Sequence, residues 1–148
     1  MKLLVTGGTG FLGRRVAAHF VALGWQVLSP SHGELDITDG AAIRAWLLEN
    51  RPEAVIHTAA VSDTGLCQRL PEWSEEINVA GCVYLAEACR EIGAKLVMCS
   101  SDQVYLAAAA PARIKKRKLY ALERSTAVRN YGRSGKCWLF CRMRCACG

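Results

Sequence analysis

Three glycines at fixed spacing constrain this chain more than any other feature of its 148 residues. Gly7, Gly10 and Gly13 stand in Thr6-Gly7-Gly8-Thr9-Gly10-Phe11-Leu12-Gly13, a Gly-x2-Gly-x2-Gly run. It follows the apolar segment Lys2-Leu3-Leu4-Val5-Thr6 and opens a stretch in which Phe11, Leu12, Val16, Phe20 and Leu23 recur at helical spacing. The order is strand, glycine turn, helix. Glycines let the backbone turn sharply and approach a pyrophosphate, whose charge then meets free N–H groups and the positive end of the helix. An ordinary strand-to-helix turn is the plain alternative. Strand, spacing and helix together favour dinucleotide binding.

The next segments repeat the alternation. Gly24 ends the first helix, Trp25-Gln26-Val27-Leu28 reads as a second strand, and Ser29-Pro30-Ser31-His32-Gly33 is a loop. Asp39 caps a helix carrying Ile43, Trp46, Leu47 and Leu48, which stops before Pro52. Ala54-Val55-Ile56-His57 is a third strand, one long helix runs from about Glu72 to Ile92, and Lys95-Leu96-Val97-Met98-Cys99 is a fourth strand. This pattern predicts an α/β fold: a doubly wound parallel sheet, Rossmann-like and NAD(P)-binding, of which the N-terminal portion is present. No apolar stretch reaches the roughly 18 residues needed to cross a bilayer, and the first residues lack a signal-peptide cleavage pattern. A cytoplasmic protein without a membrane partner is expected.

Charge divides the chain into two parts. Residues 1–105 hold 8 Lys and Arg against 12 Asp and Glu, whereas residues 106–148 hold 11 against 1, so the whole-chain net charge of +6 belongs to the second part. The expected organisation is therefore a partial NAD(P)-binding domain over 1–105 and a basic, cysteine-rich tail over 106–148. Cys67, Cys82, Cys89 and Cys99 are spaced like reduced core thiols, while Cys137, Cys141, Cys145 and Cys147 crowd the tail without the Cys-x2-Cys units of structural zinc sites. No metal is expected. A basic segment binding nucleic acid is disfavoured, because aromatic or arginine patterning for base recognition is absent.

The glycine spacing resembles the extended short-chain dehydrogenase/reductase family, and further matches follow in order. Leu35-Asp36-Ile37-Thr38-Asp39 resembles the family's adenine-contacting segment, His57-Thr58-Ala59-Ala60 the loop passing under the cofactor, and Asn78 its helix asparagine. Ser100-Ser101-Asp102-Gln103-Val104-Tyr105 resembles the strand end where these enzymes place a catalytic Ser or Thr. Together these residues look like the nucleotide-sugar reductase branch that contains dTDP-4-dehydrorhamnose reductase. The resemblance implies that Gly7, Gly10, Phe11, Leu12 and Gly13 cradle the pyrophosphate and that Asp36 and Ile37 flank adenine. It also implies that Thr58, Ala59 and Ala60 line the nicotinamide side and that Ser101 bonds the sugar carbonyl oxygen. Taken singly, Asp36 is also compatible with a helix cap, Asn78 with a satisfied polar residue, and Ser100 and Ser101 with a strand end. His57 reads as a packed histidine, and Trp25, Trp46 and Trp73 as core or helix-packing residues.

The implied cofactor is NADP or NAD. Ser29 to His32 contain no acid where NAD-preferring proteins often place one for the ribose hydroxyl, and no Arg follows at once to attract a 2′-phosphate, so NADPH is modestly favoured. The implied reaction is reduction of a 4-keto nucleotide sugar, dTDP-4-dehydrorhamnose to dTDP-rhamnose, with epimerase or dehydratase chemistry as the alternative. A non-catalytic dinucleotide-binding module is an alternative of another class. The resemblance also admits a homodimer.

One family feature is missing. The proton-transferring Tyr and its Lys partner need Tyr-x3-Lys spacing on one helical face, and Tyr131-Gly132-Arg133-Ser134-Gly135-Lys136 places four residues between them. The chain as written is therefore expected to be inactive. A one-base slip between about Tyr105 and Ala112 accounts for both the gap and the tail. Taking the third base of each codon with the first two of the next, the tail from Arg124 to Gly148 can spell QYGRSKLRAERKMLAVLPDAVRLR, which restores Tyr-x3-Lys.

Overall fold

A continuous apolar run in a strand calls for burial on both faces, and Leu3, Leu4 and Val5 of β1 (Lys2–Thr6) have it. A computed structural model describes residues 1–99. Ser101 and the 106–148 segment lie outside the described residues. After β1 come α1 (Phe11–Ala22), β2 (Gln26–Leu28), α2 (Gly40–Asn50) and β3 (Ala54–His57). Then follow α3 (Thr64–Arg69), α4 (Pro71–Glu75), a π-helical turn (Glu76–Ala80), α5 (Gly81–Ile92) and β4 (Lys95–Met98). The strands form one parallel sheet in the order β2-β1-β3-β4, as the alternation predicts.

Register decides which side chains meet. Leu4 pairs with Val55, and Val55 with Leu96, so these side chains share one face, where Ile43 and Leu47 of α2 and Leu85, Ala88 and Cys89 of α5 complete the core. Alternation sends Leu3 and Val5 to the other face, and α1 lies against β1 and β2.

The ends of the helices follow local rules. Asp39 Oδ1 accepts from the N–H groups of Ala41 and Ala42, both at 2.9 Å, and starts α2 as expected. α1 stops at Gly24, where Gly24 N–H donates to Val21 O and Trp25 N–H to Phe20 O, while the Phe20 and Trp25 rings pack with centroids 4.6 Å apart. This is a Schellman ending with its hydrophobic contact.

The helix expected over 72–92 is present as α4, the π-helical turn and α5, with right-handed helical backbone at each junction, and the π-helical insertion and the preceding α3 are what the sequence did not signal. The apolar stripe of α1 is not all core: Phe11 is 67% exposed and Leu12 and Leu23 are exposed as well, and Phe11 and Leu12 line a cavity at the start of the helix. Trp73 is 44% exposed rather than core, and Cys99 is exposed rather than a core thiol, whereas Cys67, Cys82 and Cys89 are buried.

Candidate functional site

Sheet order locates the site before any side chain is considered. From β1 the chain crosses to β2 on one side and returns to β3 on the other, which opens a crevice outside the carboxyl ends of β1 and β3. Two cavities lie there, of about 420 and 360 Å³, and Gly7, Ala59 and Ala60 form walls of both.

The glycine turn is packed tightly against the rest of the chain. Gly7 has φ +70°, a left-handed conformation, and a Cβ on it would lie 2.6 Å from the backbone nitrogen of Ala59. A Cβ on Gly13 would overlap the Gly7 carbonyl oxygen and come within 2.7 Å of Thr58 Oγ1. The turn, the start of α1 and the loop after β3 are thus in backbone contact, with Thr58 Oγ1–H donating to Thr6 O at 2.7 Å. The N-cap of α1, Gly10, has no side-chain cap bond, and no acid occupies the first turn. Its amides and the positive end of the helix therefore face the crevice without a competing side chain. Arg15 sits with its guanidinium 4.2 Å from the centre of the Phe11 ring, which adds positive charge beside the same turn.

Asn78 holds the opposite wall. From the π-helical turn its Nδ2–H donates to Val61 O at 3.0 Å and its Oδ1 accepts from Val61 N–H at 2.8 Å. This pair of bonds ties the loop after β3 to the helix, and π-helical turns recur at functional sites for such local re-aiming of a side chain. His57, at the end of β3, is buried as expected. Its Nδ1 lies 2.6 Å from Thr6 Oγ1, and its Nε2 has no hydrogen-bond partner among the described residues. Burial pushes the imidazole down to about 4.

The structure brings most sequence-predicted residues together. Gly7, Gly10, Phe11, Leu12, Gly13, Thr58, Ala59 and Ala60 line the first cavity, and Asp36 and Ile37 line the second with Gly7, Ala59 and Ala60. Asp36 Oδ1 accepts from the Thr38 N–H and hydroxyl at 2.9 and 2.8 Å, which holds its carboxyl below the usual carboxylate range. Sequence reasoning missed Met98, Cys99 and Cys82 in the first cavity and Trp73, Glu76 and His32 in the second. Only the position of His32, just past the second strand, signalled it. Beyond the acid-free stretch Ser29 to His32, Glu34 folds back over the loop, so that its Oε2 accepts from the Ser31 N–H and hydroxyl, both at 2.7 Å. Among the described residues, no group of His, Cys, Asp or Glu is placed to hold a metal, and no helix is long and apolar enough to cross a membrane.

Residues 1–136 match the family model described as RmlD substrate binding domain. A dTDP-4-dehydrorhamnose reductase of Streptomyces griseus is 39% identical over 104 residues, covering 70% of this chain and 34% of that protein. A methionine adenosyltransferase 2 subunit beta of Xenopus tropicalis is 33% identical over 111 residues, covering 70% and 33%. The chain thus spans about a third of the length of these curated relatives. Among solved structures, a dTDP-4-dehydrorhamnose reductase from Clostridium acetobutylicum superposes with a TM-score of 0.74 at 31% identity, covering 78% of this chain and 41% of that one. The Bacillus anthracis dTDP-4-dehydrorhamnose reductase, solved in complex with NADP, superposes with a TM-score of 0.62 at 26% identity, covering 64% and 34%.

Proposed function

The chain belongs to the RmlD substrate binding domain family, and from that premise we propose that it is the dinucleotide-binding part of an NAD(P)H-dependent reductase of a 4-keto nucleotide sugar. The substrate that its relatives' names favour is dTDP-4-dehydrorhamnose. One observation carries the reading: the glycine turn, packed directly on the loop after β3 at Gly7, sets the start of α1 at the cavity wall with no side-chain cap and no acid in its first turn. A pyrophosphate needs that unopposed positive end and a turn without side chains in its way.

Residues of this chain take distinct roles. Gly7, Gly10, Phe11, Leu12 and Gly13 hold the pyrophosphate, Asp36 and Ile37 flank adenine, and Thr58, Ala59 and Ala60 line the nicotinamide side. Asn78 positions that last loop through its two bonds to Val61. When bound, the dinucleotide supplies a hydride. Ser101 bonds the sugar carbonyl oxygen, and the proton donor is the Tyr of the Tyr-x3-Lys pair that the shifted reading frame restores. Residues 1–105 are thus the NAD(P)-binding portion of a cytoplasmic enzyme, and 106–148 the product of a slipped frame.

Titration of the full chain with NADPH or NADH tests the binding step. A ligand at 100 times its Kd raises stability by about 2.7 kcal/mol, which a thermal melt reads as a clear rise in Tm. No rise at saturating concentrations of either dinucleotide overturns the proposal. The absence of a Tyr-x3-Lys pair from the chain as written favours a second reading: a dinucleotide-binding module without catalysis. A gene with the frame restored after Tyr105 separates the two. NADPH oxidation dependent on dTDP-4-dehydrorhamnose supports the reductase, and binding without turnover supports the module.

A further inference from the structure

We infer that the buried His57 is a binding residue of the first cavity, where its Nε2–H donates to the carboxamide oxygen of the nicotinamide ring, an inference that rests on the dinucleotide-binding reading above. Alternation along β3 puts His57 on the same face of the sheet as Val55, and register sets Thr6 and Met98 beside it on the flanking strands. The helix covering that face gives Leu85 to the core and, one turn earlier, Cys82 to the cavity that His57, Asn78 and Met98 also line.

One buried polar atom at this cavity is left over. Thr58 Oγ1–H is committed to Thr6 O, both ends of the Asn78 amide to Val61, and Cys82 Sγ–H to Asn78 O at 3.0 Å. His57 is only 4% exposed, yet its Nε2 has no hydrogen-bond partner, alone among the buried side-chain nitrogen and oxygen atoms of the described residues. Leaving such a group unbonded is costly, so its persistence calls for a partner that arrives from outside the chain.

The tautomer identifies that partner. Among the described residues the buried Thr6 hydroxyl makes one hydrogen bond, with His57 Nδ1 at 2.6 Å, and its hydrogen is satisfied when it lies on that bond. Nδ1 is then the acceptor and the ring hydrogen sits on Nε2. Burial keeps the imidazole neutral, so His57 offers an uncharged N–H, which suits a carbonyl oxygen and brings no charge to attract a phosphate. The carboxamide is the one carbonyl of a nicotinamide dinucleotide. It belongs to the ring that the reading above sets against Thr58, Ala59 and Ala60, the residues directly after His57. Nε2 is shielded from solvent, so the oxygen reaches it as Met98, paired with His57 across the sheet, gives way through its freely rotating side chain.

The test compares NADH with ADP-ribose, which keeps the adenosine, the pyrophosphate and the second ribose but lacks the nicotinamide, by titration calorimetry on the full chain and two variants. His57→Asn keeps an amide atom facing Thr6 and has nothing at the Nε2 position, whereas His57→Gln carries an amide nitrogen out to that position. His57→Asn is expected to weaken NADH about tenfold and ADP-ribose by less than about twofold, the loss of one buried hydrogen bond, and His57→Gln to recover most of it. A merely structural role for His57 weakens both ligands together. Equal losses for NADH and ADP-ribose in His57→Asn, or an unchanged NADH affinity, overturn the inference. On the parent chain the thioamide analogue of NADH, whose sulfur is the poorer acceptor, is expected to bind more weakly than NADH, and equal affinities overturn the inference even where neither variant folds. If the parent chain binds neither NADH nor ADP-ribose, the dinucleotide-binding reading itself fails, and the two failures are distinct.

Discussion

Acidification should destabilise this fold through one buried imidazole. His57 titrates at about 4 in the folded chain because burial disfavours its charged form, against 6.5 for an ordinary histidine. The folded pKa lies below the unfolded one, so between those values the unfolded chain binds more protons. The associated stability is complete above about pH 6.5 and is lost as pH falls toward 4. The interval from 6.5 down to about 4 corresponds to about 3 kcal/mol in full, of which about 2 kcal/mol is gone by pH 5. Three surface carboxylates, Glu34, Asp36 and Glu91, are also held below their ordinary range, and their contribution disappears at lower pH, below the ordinary carboxylate range. The windows therefore separate. Urea denaturation at half-unit steps from about pH 7.5 to 4.5 measures the slope, and His57→Asn, which keeps an amide atom near the Nδ1 position facing Thr6, supplies the control. The parent should lose about 2 kcal/mol between pH 7 and 5 and the variant almost none over the same interval. A parent curve that is flat from pH 7 to 5, or a variant with an equal slope, would refute the burial argument.

Other outcomes follow from the same geometry. Gly13→Ala forces a methyl into the Gly7 carbonyl and the Thr58 hydroxyl, and overpacking of this kind costs about 1–3 kcal/mol. Its melt in NADPH should show a much smaller ligand-induced rise than the parent's. Asn78→Leu removes both bonds to Val61 and leaves the Val61 N–H without its partner, costing about 1–3 kcal/mol by urea denaturation and weakening dinucleotide binding. Sequencing the encoding DNA across codons 100 to 150 should reveal one base gained or lost, with the shifted frame open beyond codon 148. Stop codons scattered through that frame refute the slip.

The elements and the glycine turn were legible because each is a local matter. Asp39 caps α2 with its own side chain, and Gly24 ends α1 through bonds to the turn just before it, so neighbours in sequence suffice. Helical spacing identifies an apolar face at Phe11 and Leu12 without saying whether it meets a sheet or a crevice, and both residues line the first cavity. The π-helical turn was invisible, since Glu76 to Ala80 carry no breaker and the Asn78 bonds found there reach Val61, 17 residues back along the chain. Trp73 and Glu76 entered the site for a related reason, because α4 and the π-helical turn bring them to a cavity whose other walls come from distant parts of the chain.

The sequence by itself determined the alternation of strands and helices, the parallel sheet and the glycine turn, since periodicity, caps and glycines act over a few residues. Tertiary structure alone decided that the buried His57 lies against Thr6, that Asn78 clamps Val61, and that His32 shares a cavity with two carboxylates. Those relations span up to about fifty residues of chain. Nothing in local conformational preference encodes them, because they exist only once the strands have taken their order in the sheet.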